Sequence, residues 1–301
     1  MRIVSYVPEL DVRGAVVAIG NFDGVHRGHR ALLDRMRRWA DEEGRPSAVV
    51  TFFPPAKVLF RGASYLSSRE EKIELLRPFG PDAIAVVPFT HDYARTEKET
   101  FLAELGELRP RAVVVGEDFR FGRHRAGGLD DLQHVPERLE VFGLRLDGDA
   151  PISSSRIREH LAAGEIDAAN RLLGEPYLAI GTVTAGDRRG RTIGVPTANL
   201  ELPPEKALPL GVFAVQADTP HGTYGGMANV GPRPSFPGGA PRLEAHLFDF
   251  DGDLYGASLQ VRFVTRLRGQ RRFGGLDELK AQLDADRVAA RRALAQAPGR
   301  R

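Results

Sequence analysis

The stretch GNFDGVHRGH, residues 20–29, contains three glycines, one carboxylate and two histidines. The histidines, His26 and His29, lie three residues apart, and imidazole N–H groups are donors that suit phosphate oxygens. Alternatively, these side chains cap a helix or face water. A zinc site is disfavoured, because the chain has no cysteine and this stretch has no H-E-x-x-H pattern. A phosphate is therefore the ligand that the stretch indicates.

A turn between a strand and a helix is expected to position these histidines. The apolar, β-branched run AVVAIG, residues 15–20, predicts a buried strand upstream. Downstream, apolar residues recur at helical spacing until Gly44, namely Leu32, Leu33, Met36, Trp39 and Ala40. The start of a helix that follows a parallel strand favours anions, because free N–H groups and the helix dipole point toward it. We therefore predict a phosphate site at this turn.

Three serines open a second predicted helix in ISSSRIREHL, residues 152–161. Ile157 and Leu161 share one face of this helix, so hydroxyl and free N–H groups converge at its start with Arg156 and Arg158. This arrangement predicts a second anion pocket. The alternative is ordinary helix capping by the serines.

Two stretches in the second half of the chain place polar groups on predicted strands. In GDRRGRTIGVPTANLEL, residues 186–202, Thr197 and Asn199 share one strand face, and their oxygens can ligate Mg²⁺ beside phosphates. In LEAHLFDFDGDLYG, residues 243–256, Glu244 stands on an alternating strand that is otherwise apolar. The alternatives are a hairpin with a solvated polar edge for the first stretch and an exposed strand face for the second.

The order of elements predicts two domains with a boundary near Gly174 and Pro176. Residues 1–175 alternate apolar strand-like runs with helical patterns, which predicts an α/β domain with a mostly parallel sheet. Residues 176–301 read as short strands broken by Gly and Pro, which predicts a small antiparallel barrel. A C-terminal helix is predicted from the apolar residues Leu276, Leu279, Leu283, Val288 and Leu294.

Composition narrows the function classes. With 301 residues, 42% of them hydrophobic and 27% charged, the chain has enough apolar residues for two globular cores. The net charge of +2 and the scattering of basic residues among acids disfavour a barrel that binds single-stranded nucleic acid. The start MRIVSYVPELDVRG has no apolar segment typical of a signal peptide, and no apolar run has membrane-spanning length. We expect a cytoplasmic protein with neither nucleic acid nor membrane as partner.

The first half resembles a known enzyme family. GNFDGVHRGH followed by ISSSRIR is similar to the HxGH and ISSTxxR motifs of the nucleotidylyltransferase superfamily. With VGEDFRFG, residues 115–122, between them, this half resembles the adenylyltransferase half of bacterial bifunctional riboflavin kinase/FMN adenylyltransferases, the FAD synthetases. The resemblance implies a Rossmann-like domain in which His26, His29 and Arg158 act on the phosphates of ATP while FMN attacks the α-phosphorus. It also implies ATP contacts by Gly20, Phe22, Asp23, Gly24, Gly28, Ser154 and Ser155, and flavin contacts by Asp118 and Phe121.

The second half resembles the riboflavin kinase domain of the same family. The segments GDRRGRTIGVPTAN, GPRPSF and DFDGDLYG are similar to three motifs of that domain. The resemblance implies a six-stranded flavokinase barrel in which Glu244 is the general base for the ribityl 5′-hydroxyl group. It further implies that Thr197 and Asn199 hold Mg²⁺ and ATP phosphate, and that a turn covers the nucleotide through Gly186, Gly190 and Arg191.

Together the two resemblances imply an enzyme that converts riboflavin to FMN and FMN to FAD, with ATP as co-substrate and Mg²⁺ in both steps. One stretch departs from the family pattern. TFFPPA, residues 51–56, stands where the family usually has TFEPHP, and so lacks a carboxylate and an imidazole beside the nucleotide site. This departure motivates an alternative, a working kinase joined to a weakened adenylyltransferase.

Overall fold

The structure is a computed structural model that describes residues 1–184, 195–231 and 241–296. The chain divides into two compact units, Met1–Ser154 and Ser155–Arg301. The helical residues that follow Ser154 therefore group with the second unit. The boundary near residue 175 stays a prediction about where the two functional domains meet.

A six-stranded parallel sheet forms the centre of the first unit, with the strand order β1-β4-β3-β2-β5-β6. Its strands are Arg2–Val4 (β1), Val16–Ile19 (β2), Ser47–Phe53 (β3), Ala83–Pro88 (β4), Ala112–Gly116 (β5) and Arg138–Phe142 (β6). The inner strands are almost entirely apolar, as expected for a sheet covered on both faces. The predicted Rossmann-like α/β fold is confirmed.

Helices of the first unit connect these strands. They are Arg27–Glu43 (α1), Ala56–Arg61 (α2), Arg69–Leu76 (α3), Lys98–Glu107 (α4) and Leu129–Leu132 (α5), and a short hairpin follows them, Leu146–Asp147 (β7) and Ala150–Pro151 (β8). In α1 the buried residues are the five that the sequence predicts, Leu32, Leu33, Met36, Trp39 and Ala40. Gly44 ends the helix in the left-handed conformation at φ 60°, which a residue without Cβ adopts readily.

A closed antiparallel barrel forms the centre of the second unit, with the strand order β10-β13-β12-β11-β14-β9. Its strands are Tyr177–Thr184 (β9), Ala198–Glu201 (β10), Gly211–Thr219 (β11), Gly222–Gly231 (β12), Arg242–Leu247 (β13) and Ser258–Arg268 (β14). The described residues also form the helices Ser154–Ala162 (α6), Ile166–Leu173 (α7) and Leu276–Gln296 (α8). The predicted six-stranded barrel followed by a C-terminal helix is confirmed.

Two of the apolar residues from which α8 is predicted lie outside its buried face. Val288 is 70% exposed and Leu276 is 53% exposed. The buried face instead holds Ala290 and Asp286, and Ala290 packs in a cluster that also contacts Leu283. The reason is geometric. Ala290 and Leu294 lie seven and eleven residues after Leu283 and share its face of the helix, whereas Val288 lies five residues after Leu283 and points well away from that face.

The parallel sheet gathers the predicted site at one edge. In sheets of this type the ligand lies beyond the carboxyl ends of the strands, where the turns after β2, β3, β4 and β5 meet. The GNFDGVHRGH turn follows β2, and the Pro-rich part of TFFPPA follows β3. Across the parts of the chain that the structure describes, no helix combines the length and apolar character needed to span a membrane.

Candidate functional sites in the two units

His26 and His29 meet at the start of α1. The two rings stack with centroids 3.6 Å apart and an interplanar angle of 13°. The Nδ1 atom of His26 accepts a hydrogen bond from the backbone N–H of His29 at 3.3 Å, so His26 caps the helix. Because Nδ1 accepts, the neutral ring carries its proton on Nε2 and keeps one N–H donor. His26 can therefore cap the helix through Nδ1 and also donate a hydrogen bond through Nε2.

Both histidines are neutral near pH 7. Burial lowers the pKa of His26 to about 4. Burial, together with the charges of His26 and Lys72, holds the pKa of His29 well below its usual value. The Nδ1 atom of His29 is buried without a hydrogen-bond partner in the described residues. The turn thus offers a bound anion neutral imidazole groups rather than imidazolium ions.

Asp23 shapes the turn from within. Its side chain is 2% exposed, and Oδ1 accepts hydrogen bonds from the backbone N–H groups of Leu66 at 2.9 Å and Ser67 at 3.1 Å. The Ser67 hydroxyl accepts from the N–H of Gly24 at 3.0 Å, and the Ser154 hydroxyl donates to the Asp23 carbonyl at 3.0 Å. Asp23 and Ser154 therefore order this turn, and any contact that they make with ATP stays a prediction.

Phe22 is fully buried below the turn at a positive φ of 44°. Its ring meets His29 edge to face at 5.2 Å. A Cβ atom on Gly20 would approach the Phe22 ring to 2.9 Å, so this close packing requires glycine at position 20. At Gly28 a Cβ atom would lie 3.2 Å from the His26 ring. These residues fix where the histidines lie.

Lys72 belongs to this site although sequence reasoning missed it. Its side chain is completely buried, and Nζ donates hydrogen bonds to the carbonyl oxygens of Asn21 and Phe52, each at 2.7 Å. A signal was present in the sequence. Lys72 lies three and four residues before the buried Leu75 and Leu76, so this lysine stands on the apolar face of α3.

The predicted second anion helix begins where expected. α6 starts at Ser154, and Ile157 and Leu161 are its buried residues, as predicted. Ser155 and Arg158 lie in the second compact unit. Their approach to the ATP phosphates stays a prediction.

An aromatic cluster occupies the same sheet edge as the histidine turn. Phe121, a predicted flavin contact, is only 7% exposed, and its ring stacks against Phe119 at 5.6 Å. Asp118 is exposed beside it. The cluster continues from Phe121 through Phe101, Phe52, Tyr93 and Phe89 to Phe60. Sequence reasoning found one end of this cluster and missed the rest, because the rings come from a strand, a helix and loops that are far apart in the sequence.

In the barrel, three polar side chains stand side by side on neighbouring strands. Asn199 of β10 is paired with Glu244 of β13, and Glu244 is paired with Asn229 of β12. Directly paired residues point to the same sheet face, so the predicted Asn199 and Glu244 are neighbours. Arg242 lies 3.7 Å from the Glu244 carboxylate, and Gln270 donates to Asn229 at 2.9 Å. Asn229 was missed.

Thr197 lies exposed just before β10, and a buried histidine holds the chain beside it. The Nδ1 atom of His246 is 2.7 Å from the carbonyl oxygen of Pro196. A carbonyl only accepts, so the ring proton is on Nδ1. Gly186, Gly190 and Arg191 lie outside the described residues.

The residues present fit a magnesium ion better than a zinc ion. Within residues 1–184, 195–231 and 241–296, no group of three or more His, Asp or Glu side chains is placed to hold a metal. Mg²⁺ prefers oxygen ligands and keeps substrate phosphates and waters among them. A hydroxyl and an amide beside a carboxylate, as in Thr197, Asn199 and Glu244, are a donor set of that kind.

Comparison with known proteins gives one consistent family. A family model described as FAD synthetase matches residues 9–156, and one described as riboflavin kinase matches residues 173–294. A crystal structure described as a macrolide-efflux protein from Streptococcus pneumoniae superimposes with a TM-score of 0.84 at 29% identity, over 96% of this chain and 98% of that one.

Curated relatives share nearly the full length. The bifunctional riboflavin kinase/FMN adenylyltransferase of Pseudomonas fluorescens is 38% identical over 94% of both chains. The protein of the same name from Escherichia coli K12 is 38% identical over 97% of this chain and 96% of its own, and that of Bacillus subtilis is 36% identical over 92% and 91%. The chain belongs to the family of bifunctional riboflavin kinase/FMN adenylyltransferases.

Proposed function

We propose that the chain makes FAD from riboflavin in two ATP-dependent steps, phosphorylation at the barrel and adenylylation at the parallel sheet. One observation carries this proposal: a single chain holds both a stacked pair of neutral histidines at a helix start and a carboxylate between two amides on adjacent strands. The first arrangement suits phosphate oxygens, and the second suits a hydroxyl nucleophile beside a metal-bound phosphate.

In the adenylyl transfer, an oxygen of the FMN phosphate bonds to the α-phosphorus of ATP. The bond from that phosphorus to the bridging oxygen breaks, and pyrophosphate leaves with the electron pair. The Nε2–H group of His26, a ring N–H of His29 and the first N–H groups of α1 donate to the phosphate oxygens as charge builds on them. Ser154, Ser155 and Arg158 assist from α6. Positioning and charge stabilisation are sufficient for such a step.

The aromatic cluster suits the flavin ring of FMN. Phe60 is 55% exposed, and it contacts Phe89, which in turn contacts Tyr93. Stacking on such rings binds a planar aromatic ligand without charge. Phe121 supports the cluster from below, while the exposed Asp118 is available to a polar group of the flavin.

In the kinase step, the Glu244 carboxylate accepts the proton of the ribityl 5′-hydroxyl group while the 5′-oxygen bonds to the γ-phosphorus of ATP. The bond to the β-γ bridging oxygen breaks, and ADP leaves. Thr197 and Asn199 would hold Mg²⁺ together with phosphate oxygens. The bound ion would offset the negative charge of the phosphates. Arg242 lies 3.7 Å from the Glu244 carboxylate, which places a positive charge beside the proposed base.

The test is direct. The purified chain is incubated with riboflavin, ATP and Mg²⁺, and the flavins are separated by chromatography over time. We expect FMN and then FAD, and neither product when EDTA replaces Mg²⁺. Formation of no new flavin would overturn the proposal. FMN without FAD would favour a kinase joined to a weakened adenylyltransferase, the alternative that TFFPPA motivates.

A further inference from the structure

Lys72 is a buried cation whose hydrogen bonds are all accounted for. Its Nζ atom donates to the Asn21 carbonyl at 2.7 Å, the Phe52 carbonyl at 2.7 Å and the Thr51 hydroxyl at 3.3 Å. The Thr51 hydroxyl donates its own proton to the Asn21 carbonyl at 3.1 Å, so it accepts from Lys72. Three acceptors match the three N–H bonds of an ammonium group, whereas a neutral amine has only two N–H bonds and would lose one of these contacts.

The groups that Lys72 joins lie at the ends of two neighbouring strands. The Asn21 carbonyl belongs to the turn after β2 and directly precedes Phe22, whose ring packs against His29. The Phe52 carbonyl lies at the end of β3, beside the Pro-rich loop. The Phe52 carbonyl thus accepts from α3, and the Asn21 carbonyl accepts from Lys72 as well as from Thr51. A shift of either strand end would be transmitted to the histidine pair.

The charged and polar groups around Lys72 come from the turn after β2, from α1, from β3 and from its own helix. Asp23, in the turn after β2, stabilises the ammonium charge, and His29 of α1 lies close enough for the lysine charge to lower the pKa of its imidazole. β3 presents the neutral Thr51 hydroxyl, the Phe52 carbonyl and the Phe53 ring, whose centroid is 5.9 Å from Nζ. On its own helix, Glu71 is buried and accepts from the Ser68 N–H group.

We propose that Lys72 is a positioning residue for adenylyl transfer, which ties the ends of β2 and β3 together and places a buried positive charge behind the two histidines. The inference rests on the proposed adenylyltransferase activity. A fixed charge in a low-dielectric interior attracts the triphosphate more strongly than a solvated charge would. It also adds to the effect of burial in lowering the pKa of His29, so that this imidazole donates a hydrogen bond without gaining a charge of its own.

This role has a consequence for pH dependence. Burial lowers the pKa of Lys72 to about 8, against the stabilising charge of Asp23. Deprotonation above that pH removes the charge and one of the three N–H donors. kcat/KM for ATP in FAD formation reports the free enzyme, so it should fall above pH about 8. Bound phosphates favour the ammonium form, so kcat should fall only at higher pH.

The experiment compares Lys72→Met with Lys206→Met. Lys206 is a second buried lysine, in the barrel unit, where Nζ donates to the Leu178 carbonyl at 2.7 Å. FAD formation from supplied FMN is measured between pH 6 and 10. We expect Lys72→Met to lower kcat/KM for ATP by about tenfold to a hundredfold and to abolish the fall above pH about 8. The circular-dichroism spectrum and melting temperature of the variant measure its folding, because Lys72 and the barrel lie in different compact units. FMN formation by the barrel should be unchanged.

Lys206→Met should keep the wild-type pH profile of FAD formation. A Lys72→Met variant that keeps both the wild-type rate and the fall near pH 8 would overturn the inference while leaving the proposed function intact. A wild-type chain that forms no FAD would instead refute the adenylyltransferase proposal itself.

If Lys72→Met does not fold, Thr51→Val provides the same test. It removes one acceptor of the ammonium group with little change of shape, so the pKa of Lys72 falls and the decline of kcat/KM moves to lower pH. A decline that does not move in Thr51→Val assigns the ionisation to another group and overturns the inference.

Discussion

At the residue scale, the two stacked histidines of the first unit must lie in contact without both becoming charged. The histidines must be neutral donors while lying close enough to stack. Burial lowers the pKa of both, and the nearby charge of Lys72 lowers that of His29 further. Two imidazolium ions in contact would repel each other strongly. The sequence shows the pair but not this arrangement, because stacking and burial depend on residues from three different elements.

Replacing His29 with Ala tests whether the histidine acts on phosphate. Removal of one preorganised donor typically costs about 3 kcal/mol in the transition state, so FAD formation should slow by about two orders of magnitude. FMN should then accumulate, because the kinase does not use His29. The FMN-to-FAD ratio over time is the measurement, with the exposed His134→Ala as a control. A lower melting temperature with an unchanged ratio would reduce His29 to a packing role.

Glu244→Gln tests the general base of the kinase. The substitution keeps the side-chain volume and removes the proton acceptor, so FMN formation should slow by about two to four orders of magnitude. FAD formation from supplied FMN should continue at the wild-type rate. Glu201→Gln, an exposed carboxylate on β10, is the matched control. FMN formation near the wild-type rate in Glu244→Gln would assign the proton transfer to another group.

At the element scale, the spacing of apolar residues predicted the helices and strands that are formed by burying an apolar face. All five predicted core residues of α1 and nearly all residues of the inner strands β2, β4 and β5 are buried, because a covered face tolerates little else. The sequence did not predict that Lys72 belongs to the histidine site or that Asn199, Glu244 and Asn229 form one row. Both depend on which strands and helices lie side by side. In α8, Val288 fits an apolar pattern by type, whereas the buried face uses Asp286.

Asp286 is expected to anchor α8 to the barrel. Its carboxylate accepts two hydrogen bonds from Nε of Arg268 on β14, at 3.0 and 2.9 Å, and its side chain is 4% exposed. Removing one partner of a buried ion pair typically costs about 3–5 kcal/mol, so Asp286→Ala should unfold at clearly lower denaturant concentration. Val288→Ala on the exposed side should change stability by no more than about 0.5 kcal/mol. Equal stability of the two variants would contradict this assignment.

At the scale of the whole molecule, the barrel needs more than its own strands. Asn170 of α7 donates from Nδ2 to the carbonyl oxygens of Phe263 at 2.8 Å and Val264 at 3.1 Å. Its Oδ1 atom accepts from the N–H of Tyr177, the first residue of β9, at 2.8 Å. The sequence pattern predicts a boundary near residue 175, where alternating strands and helices give way to short strands broken by Gly and Pro. The pattern does not reveal that α7 supplies hydrogen bonds to the barrel.

A fragment of residues 155–301 should therefore fold on its own and phosphorylate riboflavin. A fragment of residues 176–301 begins after α7 and loses Asn170 together with the buried residues of that helix, Ile166, Ala169, Leu172 and Leu173. Three partly buried backbone groups then lose the side chain of Asn170, at about 1 kcal/mol each, and the apolar burial of α7 is lost as well. We expect the shorter fragment to unfold at lower temperature, as measured by circular dichroism, and to make less FMN. Equal stability and kinase activity in the two fragments would show that α7 contributes nothing to the barrel.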